Sequence, residues 1–180
     1  MRRGSLVLAF AVITASPALA LDLPARKAGL WDITMSVESA GSVPAQGMQQ
    51  CIDAATDKLM NDMGGGMSRQ VCSKQEVKTA GSTITVDSVC QVGNSSMTSQ
   101  AVVTGDFNSA YNVKVTSQGG PSGGMKMNID AKWLGACKAD QKPGDIIMAN
   151  GMKMNIVDMQ KMMNAAPGMP GRGMAGQPAR

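Results

Sequence analysis

Apolar residues recur at every second position in one segment after another, and that period limits what this chain can fold into. Trp31, Ile33, Met35 and Val37 alternate with Asp32, Thr34, Ser36 and Glu38. A two-residue period sends one set to each face of a strand, so one face seeks a core and the other meets water. The same pattern returns in Ile84, Val86, Cys90 and Val92, then in Met97, Ala101, Val103 and Phe107. It returns again in Tyr111, Val113 and Val115, and in Met125, Met127, Ile129, Ala131 and Trp133. Residues 71–79 read as the partner of 83–92 in a hairpin turning at Ala80-Gly81, and residues 48–52 as a short strand after a loop over 41–47. The segments are joined by turn residues such as Asn108-Ser109, and such short links connect antiparallel neighbours.

Between the early and late strands, residues 54–63 carry Ala55, Leu59 and Met63 at helical spacing. Asp53 is placed to cap this helix, and Gly64-Gly65-Gly66 to end it. One short helix is too little to cover a flat sheet whose strands each bury one face. The expected fold is therefore mostly β (α+β), a curved antiparallel meander or half-barrel of about seven strands wrapped around its own apolar face.

The start of the chain reads as an export leader. Arg2 and Arg3 precede a short apolar run, and Ala18-Leu19-Ala20 forms a small-residue cleavage site. The expected product is periplasmic or secreted, with cleavage near Ala20. Cys51, Cys72, Cys90 and Cys137 would then meet an oxidising compartment, where an even number of cysteines reads as two disulfides. No Cys-x-x-Cys spacing occurs, which disfavours zinc and thioredoxin-like chemistry. Four cysteines allow three pairings. The hairpin brings Cys72 opposite Cys90, which leaves Cys51 for Cys137. Past Cys137 the composition shifts. The expected division is a leader over 1–20, an exported β domain over 21–140, a Met-rich extension over 141–164 with a short helix, and a disordered tail over 165–180.

Losing Arg2 and Arg3 lowers the formal charge from +4 to +2, and positions 21 to 166 are then balanced in charge. A nucleic-acid partner would require a basic patch with interleaved aromatics, and neither is present. No apolar run long enough to span a bilayer follows the leader. The chain has no His. That removes Ser-His-Asp and Cys-His catalysis and His-ligated metal. Gly120-Pro121-Ser122-Gly123-Gly124 fits Gly-x-Ser-x-Gly in letters only, because it lies between strands and lacks a base. Asp53 and Asp57 sit where they cap a helix and favour its dipole. No catalytic residue, cofactor or enzymatic activity is assigned.

Methionine is the remaining anomaly, with 17 in the chain. Gly124-Met125-Lys126-Met127-Asn128-Ile129 recurs as Gly151-Met152-Lys153-Met154-Asn155-Ile156. Thioethers are soft donors, so Met125, Met127, Met152 and Met154 are candidate Cu(I) ligands, although no metal site is assigned. The competing reading is flexible core or an adaptable binding surface. Trp31, Met35, Met127 and Trp133 share the apolar face and are candidates to line a ligand cavity.

The opening Gly29-Leu30-Trp31-Asp32-Ile33-Thr34, the cysteines Cys51, Cys72 and Cys90, and the closing Trp133-Leu134-Gly135-Ala136-Cys137 resemble an exported bacterial family known only as domain of unknown function 3617. The resemblance covers roughly residues 24 to 140. It implies a small periplasmic or secreted domain and brings no catalytic residues. The expected role is a non-enzymatic binding or interaction module for a lipophilic ligand or an envelope protein. The alternative is a Met-based Cu(I)-binding protein.

Overall fold

A computed structural model of the chain describes residues 23–38, 43–121 and 123–165. The expected leader, Ser122 of the Gly-x-Ser-x-Gly match, and the tail from 166 lie outside these residues. Along the chain run β1 (Gly29–Glu38), β2 (Val43–Ile52), α1 (Ala54–Val71), β3 (Cys72–Ala80), β4 (Thr83–Val92) and β5 (Ser95–Asp106). They are followed by β6 (Ala110–Gly119), β7 (Gly124–Gly135), β8 (Asp145–Met148), β9 (Lys153–Asn155) and α2 (Ile156–Ala165). The strands form one nine-stranded sheet in the order β3-β4-β5-β6-β7-β1-β2-β8-β9, antiparallel throughout and open between β3 and β9.

The mostly β, antiparallel, unclosed sheet agrees with the alternation, and five of its strands form the expected meander from β3 to β7. The count is nine rather than seven because β8 and β9 are only four and three residues long. So short a segment shows no period. These two strands make residues 145–155 part of the same sheet, although the sequence places an extension there. Strand β2 starts at Val43, inside the expected loop. Pro44 is tolerated because the ladder bulges between Met35 and Val37, where a missing N–H costs no hydrogen bond.

Helix α1 also departs from expectation, running through Gly64-Gly65-Gly66 to Val71. Three glycines cost roughly 3 kcal/mol relative to alanines in a helix interior. Both ends are secured against that cost. Asp53 accepts from the Thr56 N–H at 2.8 Å, and the Thr56 hydroxyl accepts from the Asp53 N–H at 3.0 Å. At the other end the Cys72 N–H bonds Ser68 O, and Cys72 is joined to Cys90. The inward face is rotated from the predicted Ala55, Leu59 and Met63. Thr56 and Asp57 are buried, while Ala55 is exposed.

The sheet hinges on β1 pairing with β7. Trp31 stands opposite Trp133 and Leu30 opposite Gly135. Gly29 adopts a φ of 133° at this junction, and a Cβ there would strike the Gly135 carbonyl. Trp31 is completely buried in a cluster with Ile33, Ile52 and Ala131. A second cluster holds Ile84, Val86 and Val103, and Tyr111 packs against both. Two disulfides fasten the structure, Cys51–Cys137 and Cys72–Cys90, in the pairing the hairpin implied.

The two bridges close chain separations of 86 and 18 residues. The longer loop restricts the unfolded chain more. Urea unfolding of a Cys51→Ser/Cys137→Ser variant is expected to show a loss of about 4 kcal/mol, against about 3 kcal/mol for Cys72→Ser/Cys90→Ser. An equal or reversed ranking would show that local strand packing, not chain entropy, sets the contribution.

Candidate functional site

The inner face of the sheet is not filled. A groove of about 520 Å³ lies between that face and the two helices. Its floor follows from register. Met35, Ile129, Val113 and Val103 fall in one cross-strand row over β1, β7, β6 and β5. Ala101 and Val86 continue it in the next row. These side chains are medium or small, so they leave space between the sheet and the helices. Met60, Asn61 and Ser68 of α1 form the roof, with Ile146 and Ile156 at one side. A space of this volume with mostly apolar walls and a few polar groups has the character of a small-molecule site.

The polar groups gather at one end. Arg26 donates from its backbone N–H to Asp57 Oδ2 at 2.8 Å and from Nε to Asp57 Oδ1 at 2.7 Å. Its Nη1 donates to Gln50 Oε1 at 2.9 Å. The Arg26 and Asp57 side chains are 9% and 1% exposed, so this is a buried ion pair. Tyr111 stacks on Phe107 at 4.8 Å and leans against Trp31 at 5.6 Å. Burial raises the Tyr111 phenol above its ordinary pKa, and the neighbouring Arg26 guanidinium partly opposes that shift. Asp57 therefore does more than favour a helix dipole. The sequence reading missed this because the partner lies 31 residues away.

The wall carrying Ile146 and Ile156 rests on another buried carboxylate. Asp145 is 1% exposed and accepts from the Lys142 N–H at 2.9 Å, Asn155 Nδ2 at 2.9 Å and Lys153 Nζ at 2.8 Å. Burial alone would raise its pKa. The hydrogen bonds from Asn155, Lys153 and Lys142 outweigh it, and the net shift is downward.

Of the four expected ligand-face residues, only Met35 lines the groove. Trp31 and Trp133 serve the junction instead. The Trp31 indole donates to Lys27 O at 2.8 Å and that of Trp133 to Ala28 O at 3.1 Å. The Lys27 ammonium lies over the Trp133 ring at 3.6 Å. Met127 lies two residues beyond Ile129 on the same face, outside the groove. Sequence reasoning missed Arg26, Gln50, Asp57, Tyr111 and Ile156. Alternation marked Tyr111 as inward-facing, and helical spacing put Ile156 on one face with Met152, Met159 and Met163, but no local signal marks Arg26, Gln50 or the inward turn of Asp57.

The four candidate copper ligands do not converge. Met154 belongs to the row Trp133, Trp31, Gln50, Ile146, Met154. Met127 belongs to a different row, opposite Val37 and Val115. Their strands are four places apart, roughly 19 Å at the usual strand spacing. Met125 and Met152 are exposed.

A family model described as "Protein of unknown function (DUF3617)" matches residues 26–137. No curated protein matches the chain, and no solved structure does. No described helix is long and apolar enough to cross a membrane.

Two stability measurements check these carboxylates. Asp57→Asn is expected to lose about 3 kcal/mol or more, because Arg26 is left buried without its counter-charge. The apolar pair Arg26→Met/Asp57→Leu should recover most of that loss, as replacement of a buried pair often does. For Asp145 the folded pKa is depressed, so its contribution is present above the ordinary carboxylate range and is lost as pH falls through the lowered value. Urea unfolding at stepped pH should show stability falling below about pH 4. Asp145→Asn should flatten that fall; an unchanged slope would assign it to other groups.

Proposed function

The chain belongs to the DUF3617 family of proteins of unknown function, and on that footing we propose that it is a non-enzymatic binding module of the cell envelope, holding a lipophilic ligand in the groove between sheet and helices. The observation that carries this reading is the incompletely filled apolar floor of Met35, Ile129, Val113, Val103, Ala101 and Val86. Water over such a floor is poorly held, and an apolar ligand that displaces it gains affinity. The absence of His and the closed hydrogen bonding of Asp57 and Asp145 favour binding over catalysis. The two disulfides and the leader-like start favour action in the periplasm or outside the cell after cleavage near Ala20.

Nile red, an uncharged dye that brightens in apolar surroundings, tests this reading. The purified oxidised protein should bind it with micromolar affinity. Ala101→Trp or Val113→Phe, which fill the floor, should weaken binding about tenfold or more while leaving the thermal midpoint near its starting value. Absence of binding, or binding indifferent to both substitutions, would sink the proposal.

A further inference from the structure

Two side-chain amides beside the Arg26 guanidinium, at the polar end of the groove, are poorly used. Arg26 Nη2 meets Met60 Sδ at 3.6 Å, and Gln50 Nε2 meets Met48 Sδ at 3.6 Å. Asn61 also lines the groove, and its side-chain amide has no hydrogen-bond partner among the described residues. A thioether is a weak acceptor, so Gln50 Nε2 retains most of its capacity for an oxygen, while the Arg26 guanidinium also bonds the Tyr111 hydroxyl. Arg26 and Gln50 are joined by the 2.9 Å bond from Nη1 to Oε1, which holds the Gln50 amide N–H beside the guanidinium. Methionine is unbranched and changes rotamer easily, so Met48 and Met60 can yield the position.

We infer that this end of the groove recognises an uncharged oxygen acceptor, the carbonyl of an ester, amide or ketone, at the head of an amphiphilic ligand. The inference rests on the lipophilic-ligand reading above and adds the chemistry of the head group. Charge complementarity selects a neutral head. Asp57, 1% exposed, already balances Arg26, so an ionised head would add an unpaired charge in a desolvated place. A wholly apolar ligand would leave the same donors facing carbon. The tail would lie along Met35, Ile129 and Val113.

Displacement of bound Nile red from the full chain by methyl dodecanoate, ionised dodecanoate at pH 8 and dodecane separates the cases. The ester is expected to compete at least about tenfold better than either of the others, although dodecane is the more apolar molecule. Gln50→Leu and, separately, Asn61→Leu should each reduce the preference for ester over dodecane without weakening dodecane. Asn61→Leu guards the test if Gln50→Leu disturbs folding. Equal competition by all three molecules would overturn the head-group assignment and leave the lipophilic groove standing. Tighter binding of the ionised acid would overturn it in favour of an anion site. Failure of Nile red itself to bind would remove the groove reading and this inference together.

Discussion

The rest of the structure depends on the contact between β1 and β7. It joins the N-terminal hairpin to the last strand of the meander and turns two short sheets into one. The contact is crowded by design of its residues: glycine at 29 allows the backbone of β1 to approach Gly135, and only then do Trp31 and Trp133 come opposite each other. Both indoles donate to backbone carbonyls just before β1, so the entering segment is bound to the same place. Cys51, opposite Leu30, is bridged to Cys137 just beyond β7. The opening and closing motifs that define the resemblance are thus one structural joint.

The groove is a consequence of that joint. Strand β1 sits inside the sheet, with β7 on one side and β2 on the other, and the open edges fall at β3 and β9. A sheet that does not close on itself must be covered by something else. Helix α1 meets β2, β3 and β4 and stands over the middle strands as the roof of the groove. Its inward residues are Thr56, Asp57, Met60, Asn61 and Ser68, a partly polar set that does not fill an apolar floor. The second buried cluster therefore stays apart from the first, bridged by Tyr111 alone among the aromatic side chains that touch both.

Much of the fold was legible because it is local. Alternation marked the long strands, the Ala80-Gly81 turn implied the Cys72–Cys90 bridge, and Asp53 capped its helix. Errors arose where a distant partner outweighed a local preference. Glycines at 64–66 remain helical because capping at one end and a disulfide at the other hold the helix. Asp57 is drawn inward by Arg26. Residues 145–155 pair as strands, with Asp145 binding Asn155 and Lys153 across the turn. Of the expected cavity residues only Met35 lines the groove, since a two-residue period reports the face of a strand but not which stretch of that face is left uncovered.

The repeated hexapeptide draws the boundary. In Met125-Lys126-Met127-Asn128-Ile129 the chain is continuous strand; in Met152-Lys153-Met154-Asn155-Ile156 it ends a three-residue strand and begins α2. Both isoleucines nonetheless reach the same groove. By itself the amino-acid order determined that strands form, which face each buries and that histidine chemistry is absent, because these depend on composition or on neighbours along the chain. Only the tertiary structure decided where the sheet stays open, which donors collect around Arg26 and Gln50, and that the two Met-Lys-Met segments lie far apart, because those outcomes depend on residues brought together from distant parts of the chain.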